Sequence, residues 1–341
     1  MNNFKKIGIS ALAGSLAMVS AHAVEYNMSG EIASTFSTQD APTSTDANNG
    51  KGFGTETDLT FTANGELDNG FTVDMLMGVD TASALTNSST QVTVGMGSLG
   101  TVRLNVVGGS SANAIDDVMP NAYQETWDGL SDGTNPSFFG SLTSSGSIEY
   151  RIPAQEYMGV TINGSALYDP NAGLGDNTPR GVGETSVSGS AYTVKFNHDS
   201  GLEVGGGYET QEDDGGQAGV MGETSNTTGY AKFAMGPVSI GYQEAWNNAM
   251  HSDSTRGGDS SATFTGVAFT QGDITISYGE STLQVEAIGS TAATEEELDS
   301  IQAAYVMGAM TISAAVSETD NIGGTAGATF EENTLAVSFA F

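Results

Sequence analysis

Period-two alternation runs through this chain almost from end to end, and it restricts the fold more than any other feature. Segments such as "LTFTANGELDNGFTVDMLMGV", "TQVTVGMGSLGTVRLNV", "AYTVKFN", "GPVSIGY", "GDITISY" and the terminal "NTLAVSFAF" put apolar residues on one parity and small or polar residues on the other. Successive side chains of a strand point to opposite faces, so each segment reads as a strand with one greasy face. Clusters of Gly, Asn, Asp and Ser separate the segments, as turn chemistry requires. The chain is predicted to be all-β.

The connections carry a second rhythm. Tight turns at "LDNG", "GSLG", "NHDSG", "AMGP", "TQGD" and "VMGAM" alternate with long polar stretches such as "STQDAPTSTDANNGKG", "DPNAGLGDNTPRGVG" and "NNAMHSDSTRGGDSS". A meander with its long loops on one side has the asymmetry of a transmembrane β-barrel. Strands are predicted at 24–36, 53–65, 70–80, 90–97, 100–107, 144–153, 157–168, 185–197, 201–210, 226–235, 237–246, 262–271, 273–282, 299–308, 310–317 and 331–341. A closed antiparallel barrel with both termini at one end needs an even number, and this is a sixteen-stranded antiparallel transmembrane β-barrel.

A soluble secreted β-sandwich would alternate too. Strand charges Arg103, Arg151, Lys195, Lys232, Glu25, Glu31, Asp74, Glu149 and Glu203 share the non-greasy parity, which suits either fold. Glu244 and Glu280 share parity with Tyr242 and Tyr278 and are assigned to a rim just beyond the hydrocarbon. What favours lipid is the greasy face itself. It mixes Gly and Ala with Val and Ile, and sets Tyr26, Tyr208, Tyr242, Trp246, Tyr278, Phe339 and Phe341 near strand ends, where interfacial girdles form.

The first residues, "MNNFKKIGISALAGSLAMVSAHA", combine Lys5 and Lys6, an apolar run and an A-x-A site, so residues 1–23 read as a signal peptide and 24–341 as the mature barrel domain. Removing the leader leaves 7 basic against 41 acidic residues and takes the formal charge from −32 to −34. Such a chain does not bind nucleic acid by neutralising phosphates. With no cysteine it has neither disulfides nor thiolate metal sites. The composition offers little for an enzyme. His198 and His251 sit in turn-like "NHDSG" and "MHSDS", and the Gly-rich "VGGSS" and "VGGGYE" open no helix. No cofactor is expected, although acidic clusters such as "QEDDGG" and "TEEELD" offer hard oxygen ligands for Ca²⁺; without an EF-hand spacing they read better as solvated loops.

Several segments together resemble the general porins of Gram-negative, alphaproteobacterial-type bacteria: "VEYNMSGEI", "GELDNGFTV", "GMGSLGTVRLN", "SIEYRIPA" and the terminal "AVSFAF". The resemblance implies an outer-membrane barrel surrounded by lipid, usually a homotrimer, whose third loop folds inward and narrows a water-filled pore. It also implies that the terminal aromatic, Phe341, is read by the barrel-assembly machinery. The third loop, about 108–143, carries Asp116, Asp117, Glu125, Asp128 and Asp132 with no base, and Ile115, Val118, Met119, Tyr123, Trp127, Leu130, Phe138 and Phe139 with which to pack. If it folds inward, its carboxylates make an acidic constriction. Relatives set bases on the facing wall; Arg151 matches that position and Arg103 lies toward the periplasmic end. Val106 stands where another base is common, so the field across the pore is expected to be weaker and the pore more purely acidic. The expected function is passive diffusion of ions and small hydrophilic solutes with a preference for cations. The alternative is a plugged surface barrel serving as an adhesin or structural protein.

Overall fold

The structure, a computed structural model, describes residues 25–41, 49–80, 86–128, 139–143, 145–172, 187–212, 223–248, 259–286 and 294–341. The predicted leader, His251, residues 129–138 with Leu130, Asp132 and Phe138, and most of "QEDDGG" lie outside the described residues.

The strands are β1 (Glu25–Asp40), β2 (Gly50–Glu66), β3 (Thr72–Asp80), β4 (Thr86–Gly95), β5 (Thr101–Val107), β6 (Ser147–Arg151), β7 (Gln155–Tyr157), β8 (Val160–Ala172) and β9 (Val187–His198). They continue as β10 (Leu202–Glu212), β11 (Glu223–Met235), β12 (Val238–Asn248), β13 (Ser260–Gln271), β14 (Ile274–Val285), β15 (Glu296–Met307), β16 (Met310–Asp320) and β17 (Thr329–Ala340). β6 and β7 both pair with β8, flanking Pro153, which has no N–H to give the ladder. They are two pieces of one wall strand, so the wall has sixteen. β17 returns to β1 in register from Glu31 opposite Ala340 to Asp40 opposite Glu331, closing the barrel and leaving no edge.

Every predicted strand is present, and several reach further toward the long loops than alternation indicated. β1 continues to Asp40 rather than 36, and β11 begins at Glu223 rather than 226. The residues added to these two strands are Ser, Thr, Gln, Asp and Glu, whose composition reads as loop; the neighbouring strand's ladder holds them extended. At the opposite end β11 to β12, β13 to β14 and β15 to β16 are each joined by two residues, with Gly236, Gly272 and Gly308 at φ of +59°, +62° and +65°. Such backbone suits a two-residue hairpin and excludes most side chains.

Burial is inverted relative to a protein that folds against water. In β15 Ile301 is 60% exposed while its neighbour Gln302 is 3% exposed. Ile276, Val316, Leu335 and Phe339 likewise point out, and Ser277, Ser317 and Thr334 point in. A sandwich would bury the aliphatic parity; a wall that displays it needs lipid as its outer solvent. The exceptions gather in one outward band. Tyr242 hydrogen bonds Glu244, Tyr278 bonds Asp299 and, at 3.3 Å, Glu280, and Tyr208 donates to Glu223 at 3.0 Å. These pairs lie toward the long-loop ends of their strands, which agrees with the rim assignment of Glu244 and Glu280.

The parity has a direct consequence in the last strand. Val337 faces outward opposite Ile312 and Ser34, whereas Ser338 faces inward opposite Thr311 and Ala33. Val337→Lys is expected to cost about 2–4 kcal/mol if it sits at the bilayer midplane, and Ser338→Lys far less. Urea titration of the refolded barrel in lipid vesicles checks this, and equal costs would refute the assigned faces.

Candidate pore constriction

The third-loop segment leaves β5 bonded at its root to both β5 and β6. Arg103 Nη1 donates to the Gly109 carbonyl at 2.9 Å, and the Ser111 N–H donates to Glu149 Oε1 at 3.1 Å. Glu149 is fully buried and also holds Arg151 Nη2 at 3.0 Å. Arg151 thus has its bonded partner on its own strand, and with Arg103 it braces the root of the segment.

Beyond that root, side chains of the inner wall take up the segment's backbone one after another. Gln243 Oε1 accepts from Val118 N–H at 3.1 Å while its Nε2 donates to the carbonyls of Ile115 and Asp116 at 3.0 and 2.9 Å. Ser277 Oγ accepts from Ala122 N–H at 2.8 Å, and Gln302 Oε1 accepts from Tyr123 and Gln124 N–H at 3.0 and 3.1 Å. An extended segment has many orphan amides, and these three polar side chains satisfy several of them. Trp127 ends the run, packed with Leu298 and Phe330.

Close approach is permitted by a row of glycines. Gly241, Gly266 and Gly279 are direct ladder partners on β12, β13 and β14. A Cβ at Gly241 would lie 2.8 Å from Met119 Sδ, one at Gly266 2.8 Å from the Pro120 carbonyl, and one at Gly279 2.6 Å from Thr126 Oγ1. Gly207 does the same for the returning limb, since a Cβ there would lie 2.3 Å from the buried Phe139 ring. Glu209 then accepts from Gly140 N–H at 2.8 Å and Thr143 Oγ1 at 3.0 Å.

The four described carboxylates of the segment form one electrostatic group. Asp116 accepts from Asp117 N–H at 2.9 Å, Asp117 from Met119 N–H at 2.9 Å, and Asp128 from Glu125 N–H at 3.2 Å. Burial pushes all four up from the usual carboxylate range, and for Asp116, Asp117 and Asp128 these amide bonds pull partly back. Asp117, the most buried, reaches about 6, with Lys232 drawing it slightly down. Glu125 gains no such bond; burial and then the charges of Asp116, Asp117 and Asp128 push it to about 8. Burial also raises the Tyr123 phenol, and Glu332, Asp128, Glu31 and Glu56 add to the effect.

That last set reveals a second acidic surface. Glu31, Glu56, Asp58 and Asp80 share the inner face of β1–β3, with Asp58 paired to both Glu31 and Asp80. Of these only Glu31 entered the sequence reading as an inward charge, although "TETDLTF" carries the signal: Glu56 and Asp58 alternate with Leu59 and Phe61. Four of the bases collect elsewhere, near the short-turn end. Arg103, Arg151 and Lys195 line a cavity of about 490 Å³ beneath the first limb of the segment. Lys232 and Glu203 line another of about 410 Å³ with Met119 and Pro120, and Glu203 lies 3.2 Å from Lys232 and 3.8 Å from Lys195. Among the described residues no group of three or more His, Asp or Glu is placed to hold a metal ion.

Comparison with known proteins agrees with this architecture. No curated protein matches the chain in sequence. Among solved structures, the anion-selective porin from Comamonas acidovorans is similar at 13% identity and a TM-score of 0.67, covering 94% of this chain and 100% of its own. OmpT of Vibrio cholerae, solved in a trimer form, is similar at 11% identity and a TM-score of 0.65, over 94% and 100%. A variant of the Rh. blastica porin is similar at 15% identity and a TM-score of 0.56, over 93% and 100%. The sequence matches the family described as Gram-negative porin over residues 8–341. A closed sixteen-stranded wall with an outward apolar face and that family-wide match together make the chain a member of the Gram-negative porins, channels of the outer membrane.

Proposed function

We propose that the barrel is a passive channel for ions and small hydrophilic solutes that favours cations, with the third-loop segment folded into the lumen as its constriction. The observation that supports this best is the strapping of residues 115–124 to Gln243, Ser277 and Gln302, three side chains of inward parity. Asp116, Glu125 and Asp128 then border the pore on the segment, and Glu31, Glu56 and Asp58 border it on the opposite wall. Asp117 and Glu125 also line a small cavity in the seam between segment and wall. With carboxylates on both sides, the potential concentrates cations. Arg103 and Arg151 make the root of the constriction rigid, and Lys195 and Lys232 are each within 4 Å of Glu203, which offsets their charge.

The Comamonas acidovorans porin is called anion-selective. At that identity the likeness carries the fold, and the acid-to-base balance argues for the opposite preference in this chain. Like the V. cholerae relative with its trimer form, the chain is proposed to assemble as a homotrimer in outer-membrane lipid, after delivery through its C-terminal strand to the assembly machinery. Nothing in the family or fold suggests catalysis.

Reconstitution into a planar bilayer tests the reading. Stepwise conductance that scales with bulk salt is expected; a folded barrel that inserts and passes no current would mean a plugged surface protein.

A further inference from the structure

Glu125 stands apart from the other three carboxylates of the segment. Asp116, Asp117 and Asp128 each accept a loop N–H, whereas among the described residues Glu125 is bonded only through its backbone N–H and carbonyl, both to Asp128. With Asp117 it lines a small cavity of about 10 Å³, on the order of one water, bordered by Asn121 and Thr126 of the segment and by Thr265, Ser277, Gly279 and Gln302 of the wall. The walls of that cavity are the seat itself: Ser277 and Gln302 bind the loop backbone, and Gly279 admits Thr126. None of the residues that β13, β14 and β15 contribute to the cavity is ionisable. Lys232 on β11 acts on Asp117, beside Tyr230 and Glu203, while Glu31, Glu56 and Glu332 act from across the lumen on Tyr123. Among the described residues, ionised Glu125 therefore meets the like charges of Asp116, Asp117 and Asp128 and no base that offsets them.

The far end of the seat is imperfect as well. Among the described residues Trp127 Nε1 is buried without a hydrogen-bond partner, so the indole is held by packing between the cluster of Leu298 and Phe330 and that of Met119 and Phe264.

We propose that Glu125 is a proton-operated latch: while its carboxyl is protonated the third-loop segment stays seated on β12–β15, and when it ionises the segment lifts from that seat. The latch is a property of the segment itself; only its effect on permeation rests on the channel reading. The sign follows from linkage. A carboxyl whose value in the fold is raised from 4.5 to about 8 supports the seat fully below the lower value, and that support is lost as pH rises through the upper one.

Trp127 reports on the seat directly, because the chain has 2 tryptophans and Trp246→Phe leaves one. In refolded Trp246→Phe barrel the emission of Trp127 is expected to shift to longer wavelength between pH 6 and 9, with a midpoint near 8. Adding Glu125→Gln should hold the pH 6 spectrum throughout, and adding Glu125→Asp, which keeps a carboxyl, should retain a transition. A flat spectrum in the Trp246→Phe barrel, or loss of the shift in both added variants or in neither, would overturn the latch. A barrel that shows the fluorescence transition and passes no current would overturn the channel reading instead.

Discussion

Gly266→Leu is expected to raise single-channel conductance severalfold while leaving a folded barrel. The side chain would be built into space already held by the Pro120 carbonyl at 2.8 Å and Met119 Cβ at 3.1 Å. One of the two must move. The β13 backbone is fixed by ladders to β12 and β14 on both sides, whereas the segment is held only by side-chain bonds from Gln243, Ser277 and Gln302. Overpacking of this kind costs about 1–3 kcal/mol, enough to break a few such bonds and too little to open a barrel. Gly241→Leu, which meets Met119 Sδ at 2.8 Å, should act alike. Unchanged conductance in both variants, with heat-modifiable mobility intact, would mean that the segment does not narrow the pore.

Deleting Phe341 is expected to produce the largest loss of assembled protein of any single change. Its N–H donates to the Gly30 carbonyl and its carbonyl accepts from Gly30 N–H, both at 2.9 Å, so it makes the last reciprocal pair of the seam between β17 and β1. Its ring lies over Gly30 on the outer face, where a Cβ would come within 2.8 Å of Phe341 Cζ. Removal thus shortens the closing ladder and bares Gly30 to the interface at once. Phe341→Asp keeps the backbone pair but sets a charge in the girdle. Both variants should leave unfolded chain in the periplasm and a weak heat-modifiable band. A normal band in both would show that closure and targeting are independent of this residue.

The wall was legible because its physics is local. A strand between lipid and lumen must alternate, a two-residue turn must use glycine or its equivalents, and both constraints are written residue by residue in segments such as "AMGPVSIGY". Strand ends beyond the hydrocarbon were harder to read, since Glu223 or Asp320 reads as loop until a neighbouring ladder is known. The site was legible in part. The acids of the third loop were evident as charges, but that Asp117 turns into the wall and Glu125 lacks a donor depends on which strand each meets. Gln243, Ser277 and Gln302 carry no local signal that marks them as a seat, and the glycine row is invisible in sequence because its members are far apart and meet only through register. Arg151 was placed from a resemblance across the lumen, and its buried neighbour Glu149, two residues away, proved to be its partner.

Cation preference is the claim on which the reading of this pore rests, and the zero-current potential across a salt gradient measures it most directly. At neutral pH the wild-type channel is expected to be cation-selective, more so in dilute salt, because the Debye length grows from about 3 Å at 1 M to about 10 Å at 0.1 M. Asp116→Asn, Asp117→Asn and Glu125→Gln together should move the potential toward zero, and the difference from wild type should widen above pH 8, where Glu125 adds its charge. A wild-type potential of anion-selective sign, or a triple variant that keeps the full wild-type potential at pH 9, would contradict the account.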